Sequence, residues 1–367
     1  MKYYLIAGEA SGDLHASNLV KELKIKDSDA EFRGWGGNLM HEEGVHLVKH
    51  YKELAFMGFT EVLANMSTIL KNIKHCKSDI KEWRPHVVIY IDYPGFNMRI
   101  APYVKSLGIK SLWYISPQVW AWKQGRVHKL NRMTDRMFVI LPFEKDFYQK
   151  FGYQVDFVGH PLLDAIAHFR SQKTEQLYAD KQVVALLPGS RKQEISKMLP
   201  EFLKVTKHFP EYKFVVAGAP SQDESFYSSF LGDYPQVELV QGKTYDLLLE
   251  AKAAVVTSGT ATLETALFKV PEVVAYKGGR ISYYIARWLI KVKFISLVNL
   301  IMDKEVVKEL IQDEMNEENL KNELNRLLDE SGKNELMEAY QELEQKLGGK
   351  GASEKTATLV LKSLETA

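Results

Sequence analysis

Along the chain, short runs of β-branched and aromatic residues alternate with segments whose apolar positions recur at three and four residues. A strand period keeps giving way to a helix period. In the first half the runs predict strands at Tyr3–Ala7, Glu31–Gly34, Val87–Ile91, Ser111–Ile115 and Met137–Ile140. In the second half they predict Val183–Leu187, Phe214–Ala217, Val237–Val240, Ala253–Thr257 and Val273–Tyr276. Between them, Leu14–Leu23 reads as a helix. So does Phe59–Ile73, where Val62, Leu63, Met66, Ile69, Leu70 and Ile73 make one apolar stripe. Strands alternating with helices argue for parallel sheets built from βαβ units.

After Asp303 the pattern turns helical and charged until Leu347, with Asn316 and Ser331 placed as N-caps and Gly348–Gly349 as a stop. A last amphipathic helix is predicted at Ser353–Leu364. Its Leu359, Val360 and Leu364 need a surface, either the first domain or a partner subunit. The polar stretch from His168 to Gln182 lacks strand character and separates the halves. This divides the chain into residues 1–167, 168–347 and a terminal helix, 348–367. A length of 367 residues fits two domains better than one.

Composition narrows the function classes. A net charge of +1 gives no global attraction to nucleic acid. Cys76 is the one cysteine, which excludes an intrachain disulfide and suits a reducing compartment. The apolar start MKYYLIA is too short for a signal peptide and breaks into a Gly/Ser loop. No uncharged apolar run reaches membrane-spanning length. The nearest, Tyr283–Met302, is interrupted by Arg287, Lys291 and Lys293 and preceded by Lys277 and Arg280. Two readings stay open for it: a segment lying on an anionic bilayer, or a buried helix and strand with solvated cations.

The chemistry lies where strands run into helices. LLPGSRKQEI (Leu186–Ile195) and TSGTATLETA (Thr257–Ala266) each pass from an apolar strand through small residues into a helix, which aims free N–H groups at an anion. In the first, Gly189 permits close backbone approach, Ser190 suits a cap and Arg191 can neutralise a diphosphate. The second offers Ser258, Gly259, Thr260 and Ala261, with Glu264 one turn into the helix and suited to ribose hydroxyls. Together they suggest a pocket for a nucleotide diphosphate, as in a nucleotide-sugar enzyme. Neither the Walker spacing nor G-x-G-x-x-G is present, which disfavours a P-loop enzyme and a dinucleotide oxidoreductase.

In the first half, the loop AGEASGD carries Glu9, Ser11 and Asp13, which suit sugar hydroxyls; Asp13 also reads as a helix cap. In VVIYIDYPGFN, Asp92 ends an apolar strand on the edge where open α/β sheets bind ligands, so it reads as a general base or as a turn-forming residue. WYISPQVWAWKQGRVHKLNR follows a strand with Gln118, Trp120 and Trp122, then sets Arg126, Lys129 and Arg132 at helical spacing, a row for phosphate groups or a solvated face. His160, in FVGHPLLD, lines the cleft or satisfies a turn. The histidines form no HExxH-like cluster, so no metal site and no cofactor are expected.

Taken in order, AGEASGD, LAFMGFTEVL, IDYPGFN, YISPQVWAWK, LPFEKDFY, FVGHPLLD, LLPGSR and SGTATLET resemble the lipid-A-disaccharide synthase family over nearly the whole chain. The resemblance implies a glycosyltransferase-B fold: α/β, two Rossmann-like doubly wound domains facing a cleft, with C-terminal helices returning to the first domain or to a partner. It implies an inverting glycosyltransferase joining UDP-2,3-diacylglucosamine to 2,3-diacylglucosamine 1-phosphate, giving the β(1→6) disaccharide 1-phosphate and UDP. UDP is then expected at Gly189, Ser190, Arg191, Ser258, Gly259, Thr260, Ala261 and Glu264 of the second domain. The acceptor is expected near Glu9, Ser11, Met57, Asn97 and Asn299, with Asp92 as base. The resemblance also implies a cytoplasmic protein on the inner membrane's anionic surface and allows a homodimer. A UDP-sugar epimerase, or a transferase for another lipid acceptor, is the alternative of the same fold.

Overall fold

Val87–Ile91 (VVIYI) is buried along its whole length, as a parallel strand covered by helices on both faces requires. It is central to the first of two sheets in the computed structural model, which describes residues 1–54, 66–122, 124–172, 177–178, 182–279, 293–329 and 333–365. Two units result, Met1–Ala167 with Leu347–Ala367, and His168–Lys346.

The first unit runs β1 (Lys2–Ala7), α1 (Ala10–Lys26), β2 (Glu31–Gly36), α2 (Asn38–Glu42), β3 (His46–His50), α3 (Met66–Trp83), β4 (Val87–Ile91), α4 (Pro94–Ser106), β5 (Lys110–Tyr114), α5 (Arg126–Met133), β6 (Arg136–Val139), α6 (Glu144–Gln149), β7 (Asp156–Phe157) and the start of α7 (Leu162–Ser171), whose residues from His168 belong to the second unit. Its seven strands are parallel in the order β3-β2-β1-β4-β5-β6-β7. The order reverses direction between β1 and β4, so the loops after these two strands flank a switch point, where such sheets bind ligands.

The second unit runs β8 (Val183–Leu187), α8 (Lys192–Val205), β9 (Lys213–Gly218), α9 (Glu224–Leu231), β10 (Glu238–Gln241), α10 (Thr244–Glu250), β11 (Ala251–Thr257), α11 (Thr260–Leu267), β12 (Glu272–Tyr276), α12 (Leu297–Met302), β13 (Lys308–Ile311), α13 (Glu317–Leu328) and α14 (Lys333–Lys346). Its six strands are parallel in the order β10-β9-β8-β11-β12-β13. Here the switch point lies between β8 and β11, the two strands that lead into the glycine-bearing junctions.

The chain re-enters the first unit with α15 (Ala352–Glu365), which packs on α1. Of Leu359, Val360 and Leu364, expected to need a surface, Val360 is fully buried, and small side chains make most of the rest of the buried face. Ala352, Ser353, Thr356, Ala357, Val360 and Ser363 are buried, and Leu359 and Leu364 are half-buried. Small side chains let two helices approach closely. Asp164 fixes the start of α15 by accepting the amides of Gly351 at 2.6 Å and Ser353 at 2.9 Å.

Three strands departed from expectation: β3, β7 and β13 were not predicted. The region after Asp303 is not helical throughout, because Lys308–Ile311 pairs with β12. β3, β7 and β13 are the edge or end strands of their sheets, short and carrying charge or half-exposed residues, as unpaired edges favour. The helix expected to end at Ile73 continues to Trp83. Ile73, Cys76 and Ile80 face the core, whereas Leu70 is exposed. Phe59, Val62, Leu63 and Ser331 lie outside the described residues. Asn316 does cap α13, accepting from Asn319 N at 3.0 Å.

Candidate active site

At the first unit's switch point, Asp92 directly follows β4 with φ +45°, and Tyr93 comes next at φ +49°. Two successive non-glycine residues in the left-handed region are costly, of order 1–3 kcal/mol each, and persist only when their surroundings hold them. Here Asn97 donates to the Asp92 carbonyl at 2.8 Å, and Tyr93 accepts the amides of Phe96 and Asn97 as α4 begins at Pro94. The Tyr93 ring lies against Gly8, where any Cβ would collide with it, so the β1 and β4 loops interlock through a position that only glycine can occupy.

Asp92 is half-buried. Burial, then the nearby Glu9 carboxylate and more weakly that of Glu144, push its pKa up to about 7, against a backbone hydrogen bond from Tyr93. A carboxylate with that proton affinity can take a proton near neutral pH. Glu9 is half-buried at the N-cap of α1, and Ser11 is exposed on the first turn.

Glu144 escaped the sequence reading, although LPFEKDFY contains it. It is buried, accepts from Ser116 Oγ at 2.5 Å, and accepts the amides of Leu141 at 2.9 Å and Ile140 at 3.2 Å. Burial raises its pKa to about 7 against these bonds. Ser116 and Glu144 thereby join the loops that follow β5 and β6. A glutamate five residues after the end of β6, at the start of the next helix, was the available signal.

At the second unit's switch point the junctions meet. A Cβ on Gly189 would lie 3.6 Å from Thr257 Cγ2 at the end of β11, and 2.9 Å from Glu194 Oε2. Gly189 has φ +108°, a conformation that L side chains rarely adopt. Arg191 is the N-cap of α8, and its guanidinium donates to Glu194 Oε1 at 3.2 Å. Glu194 is therefore the local anion of this cradle. On α11, Gly259 is the N-cap and Thr260 and Glu264 share a face. Tyr245, unremarked in the sequence, donates its hydroxyl to Glu264 Oε1 at 2.8 Å. Burial raises the Glu264 pKa, and that bond opposes it.

Several residues hold other roles than those expected. Ser190 does not cap α8; its carbonyl accepts from Ser221. Ser258 donates to the Ile295 carbonyl. Asp13 caps a different helix from its own, accepting the amides of Gly37, Leu39 and Met40 at the start of α2. Asn97 is fully buried, and its Nδ2 donates to Asp92 and Ile6 while its Oδ1 has no hydrogen-bond partner among the described residues. Asn299 is also fully buried, on the second unit. It donates to the Val307 carbonyl and Glu309 and accepts the amides of Val306 and Val307, which leaves nothing for an acceptor sugar. His160 takes the second of its two expected readings, satisfying a turn by accepting the Leu162 amide. Met57 lies outside the described residues.

Along the basic stretch, Lys277 pairs with Glu201 at 2.9 Å and Lys293 with Asp303 at 2.8 Å, while Arg280, Arg287 and Lys291 lie outside the described residues. Trp120 is buried, and Trp122 is exposed with the Arg126 guanidinium 5.6 Å from its ring. Lys129 and Arg132 lie on the solvated face of α5, opposite Val127, Leu130 and Met133. Among the described residues no helix is long and apolar enough to cross a membrane, and no three His, Cys, Asp or Glu side chains could hold a metal ion.

Comparison with known proteins matches residues 3–363 to the model of the family described as lipid-A-disaccharide synthetase. The lipid-A-disaccharide synthase of Syntrophus aciditrophicus is 41% identical, covering 97% of this chain and 96% of that one. That of Geobacter metallireducens is 41% identical, covering 98% and 96%. Among solved structures, the UDP-GlcNAc 2-epimerase of Neisseria meningitidis bound to UDP-GlcNAc superposes with a TM-score of 0.69 at 13% identity, covering all of both chains. The last likeness is one of fold: two Rossmann-like parallel sheets.

Proposed function

The chain belongs to the lipid-A-disaccharide synthetase family, and from that premise we propose how its two units divide the work of transfer. Its activity is that of a glycosyltransferase in lipid A disaccharide synthesis. In our reading the donor is UDP-2,3-diacylglucosamine and the acceptor 2,3-diacylglucosamine 1-phosphate. The second unit holds the UDP moiety and the first supplies the acceptor and the base.

The acceptor's 6-hydroxyl oxygen attacks the anomeric carbon as Asp92 takes its proton. The bond from that carbon to the diphosphate oxygen breaks, and UDP departs with the electron pair. Inversion follows from a single displacement on an α-linked donor. The charge on UDP is met by Arg191 and by the N–H groups that open α8 and α11, dipoles already oriented before reaction. Glu194 must give up Arg191 as the diphosphate arrives. Glu264 accepts from the ribose, and Thr260 lies on the same helix face. Gly189 and the small residues Gly259 and Ala261 let the backbone approach the phosphates. On the first unit, Glu9 and Ser11 line the acceptor side.

The observation that supports this most is the placement of Asp92, at a switch point beside Glu9 and with a proton affinity near neutrality. Asp92→Asn is expected to keep its UDP affinity and to lose turnover by about 10²–10⁴-fold. Arg191→Ala is expected to weaken UDP binding as well. Near-normal turnover in Asp92→Asn would remove the base assignment. Conversion of a UDP-sugar without any lipid acceptor would instead favour epimerase chemistry.

We place the protein on the cytoplasmic face of the inner membrane as a peripheral protein. Trp122 and the exposed cations of α5 support this, each cation being worth on the order of 1 kcal/mol near anionic lipid. Flotation with phosphatidylglycerol vesicles tests it: absence from the lipid fraction would exclude the assignment.

A further inference from the structure

We propose that Tyr245 is a positioning residue for Glu264, fixing one carboxylate oxygen so that the other is aimed at the ribose of the donor nucleotide. The inference rests on the donor site proposed above.

Tyr245 lies on α10 and Glu264 on α11, so the bond between them crosses from one helix to the next. The hydroxyl donates to Oε1 at 2.8 Å, while Oε2 has no hydrogen-bond partner among the described residues. The phenol ring has little freedom. Its centroid is 4.9 Å from that of Phe268 and 5.3 Å from that of Phe169, the second contact edge-on at 76°. Phe169 and Phe268 also touch each other, and the Arg170 guanidinium lies 5.3 Å over the Phe268 ring. A packed aromatic cluster thus carries a single hydroxyl to a fixed point.

The neighbouring hydroxyls of α11 are otherwise engaged. Thr262 donates to the Gly259 carbonyl and Thr265 to that of Ala261. This leaves Glu264 as the acidic acceptor of that helix face, one turn from Thr260. A ribose presents adjacent hydroxyls in fixed relation, so a carboxylate that reads them gains from being held in one orientation before binding. The Tyr245 bond also favours the ionised form that accepts such bonds, against the burial that disfavours it.

The test compares UDP with 2′,3′-dideoxy-UDP by titration calorimetry on the full chain. The unaltered protein is expected to prefer UDP by about tenfold or more, since the dideoxy ribose leaves a polar acceptor unpaired. Glu264→Ala should abolish the preference. Tyr245→Phe removes one oxygen and keeps the ring; it should cut the preference by about fivefold, leave dideoxy-UDP affinity within about twofold, and add nothing in a Glu264→Ala background. If Glu264→Ala leaves the preference intact, or the unaltered protein shows none, the donor-site reading fails. If Glu264→Ala abolishes it but Tyr245→Phe leaves it unchanged, or weakens both nucleotides alike, the role of Tyr245 alone is overturned.

Discussion

The side-chain amide of Asn97 donates to the main-chain carbonyl of Asp92 at 2.8 Å, one helical turn from the residue it restrains. Asn97 is fully buried, and its amide also lies 3.5 Å from the Ile6 carbonyl at the end of β1. The bond therefore spans the two strand ends that flank the switch point, and it holds Asp92 and Tyr93 in their left-handed conformations.

Asn97→Ala is accordingly expected to damage catalysis through position. Removing the donor leaves a buried carbonyl unpaired, at a cost of about 1–3 kcal/mol, and frees the Asp92 turn to relax. Turnover should fall by tenfold or more, since small displacements of a reacting group cost about 10²-fold in extreme cases. UDP affinity, assigned to the other unit, should be unchanged in the same titration. A variant with normal turnover and lowered melting temperature would confine Asn97 to folding.

The pH profile should respond to Glu9. Asp92 acts as a base only when ionised, so turnover rises with pH through its pKa, which burial and then Glu9 have pushed up to about 7. Glu9→Gln removes a neighbouring negative charge, which makes ionisation easier. The acid limb of kcat against pH should move to lower pH, whatever happens to KM. An unmoved limb, or one shifted upward, would disconnect Glu9 from the base.

Gly189 should tolerate no side chain. Its φ of +108° is strained for any L residue, and an added Cβ would press on Glu194 at 2.9 and 3.1 Å. Gly189→Ala would therefore distort the approach to α8 and displace the partner of Arg191. UDP affinity should drop by about tenfold or more, the cost of a left-handed alanine alone being about 1–2 kcal/mol. Direct UDP titration checks this, and an unchanged Kd would show that the loop does not cradle phosphate.

Much of this architecture was legible because it depends on runs of residues. VVIYI and VVALL are buried on both faces, and such strands announce themselves by composition alone. The charged edge strand KELI does not, since its pairing with β12 is set by a neighbour distant in sequence. Asp92, Gly189 and Glu264 could be placed because strand-to-helix junctions are local. Glu144 and Tyr245 could not, because their importance lies in a partner: Ser116 in one case, Glu264 in the other. Asn299 shows the converse. A polar residue that looked available is saturated by Val306, Val307 and Glu309, contacts that no spacing rule foretells.

The return of the chain to the first unit depends on Asp164, whose carboxylate accepts the amides that open α15. Asp164→Ala removes a cap and is expected to cost about 1–2 kcal/mol. The loss should appear as faster amide exchange in residues 352–365, with α8 and the second sheet unaffected. Uniform exchange across both units would argue against a local clasp.

Glu272 sits at the start of β12, fully buried, with neither carboxyl oxygen partnered among the described residues. Burial holds the Glu272 pKa well above its usual value. The folded state therefore keeps a proton that the unfolded chain releases at about pH 4.3. The sign follows: stability from this group is whole below that pH and is lost as pH rises, by about 1.4 kcal/mol per unit, until the folded-state pKa is reached. Glu272→Gln abolishes the titration, so its stability should lack this slope and exceed that of the unaltered protein by a margin that widens as pH rises. Urea unfolding between pH 5 and about 8, followed by amide exchange in β11 and β12, measures the difference. Parallel pH dependences in the two proteins would mean that Glu272 is ionised in the folded chain, and that a counter-charge or water satisfies it.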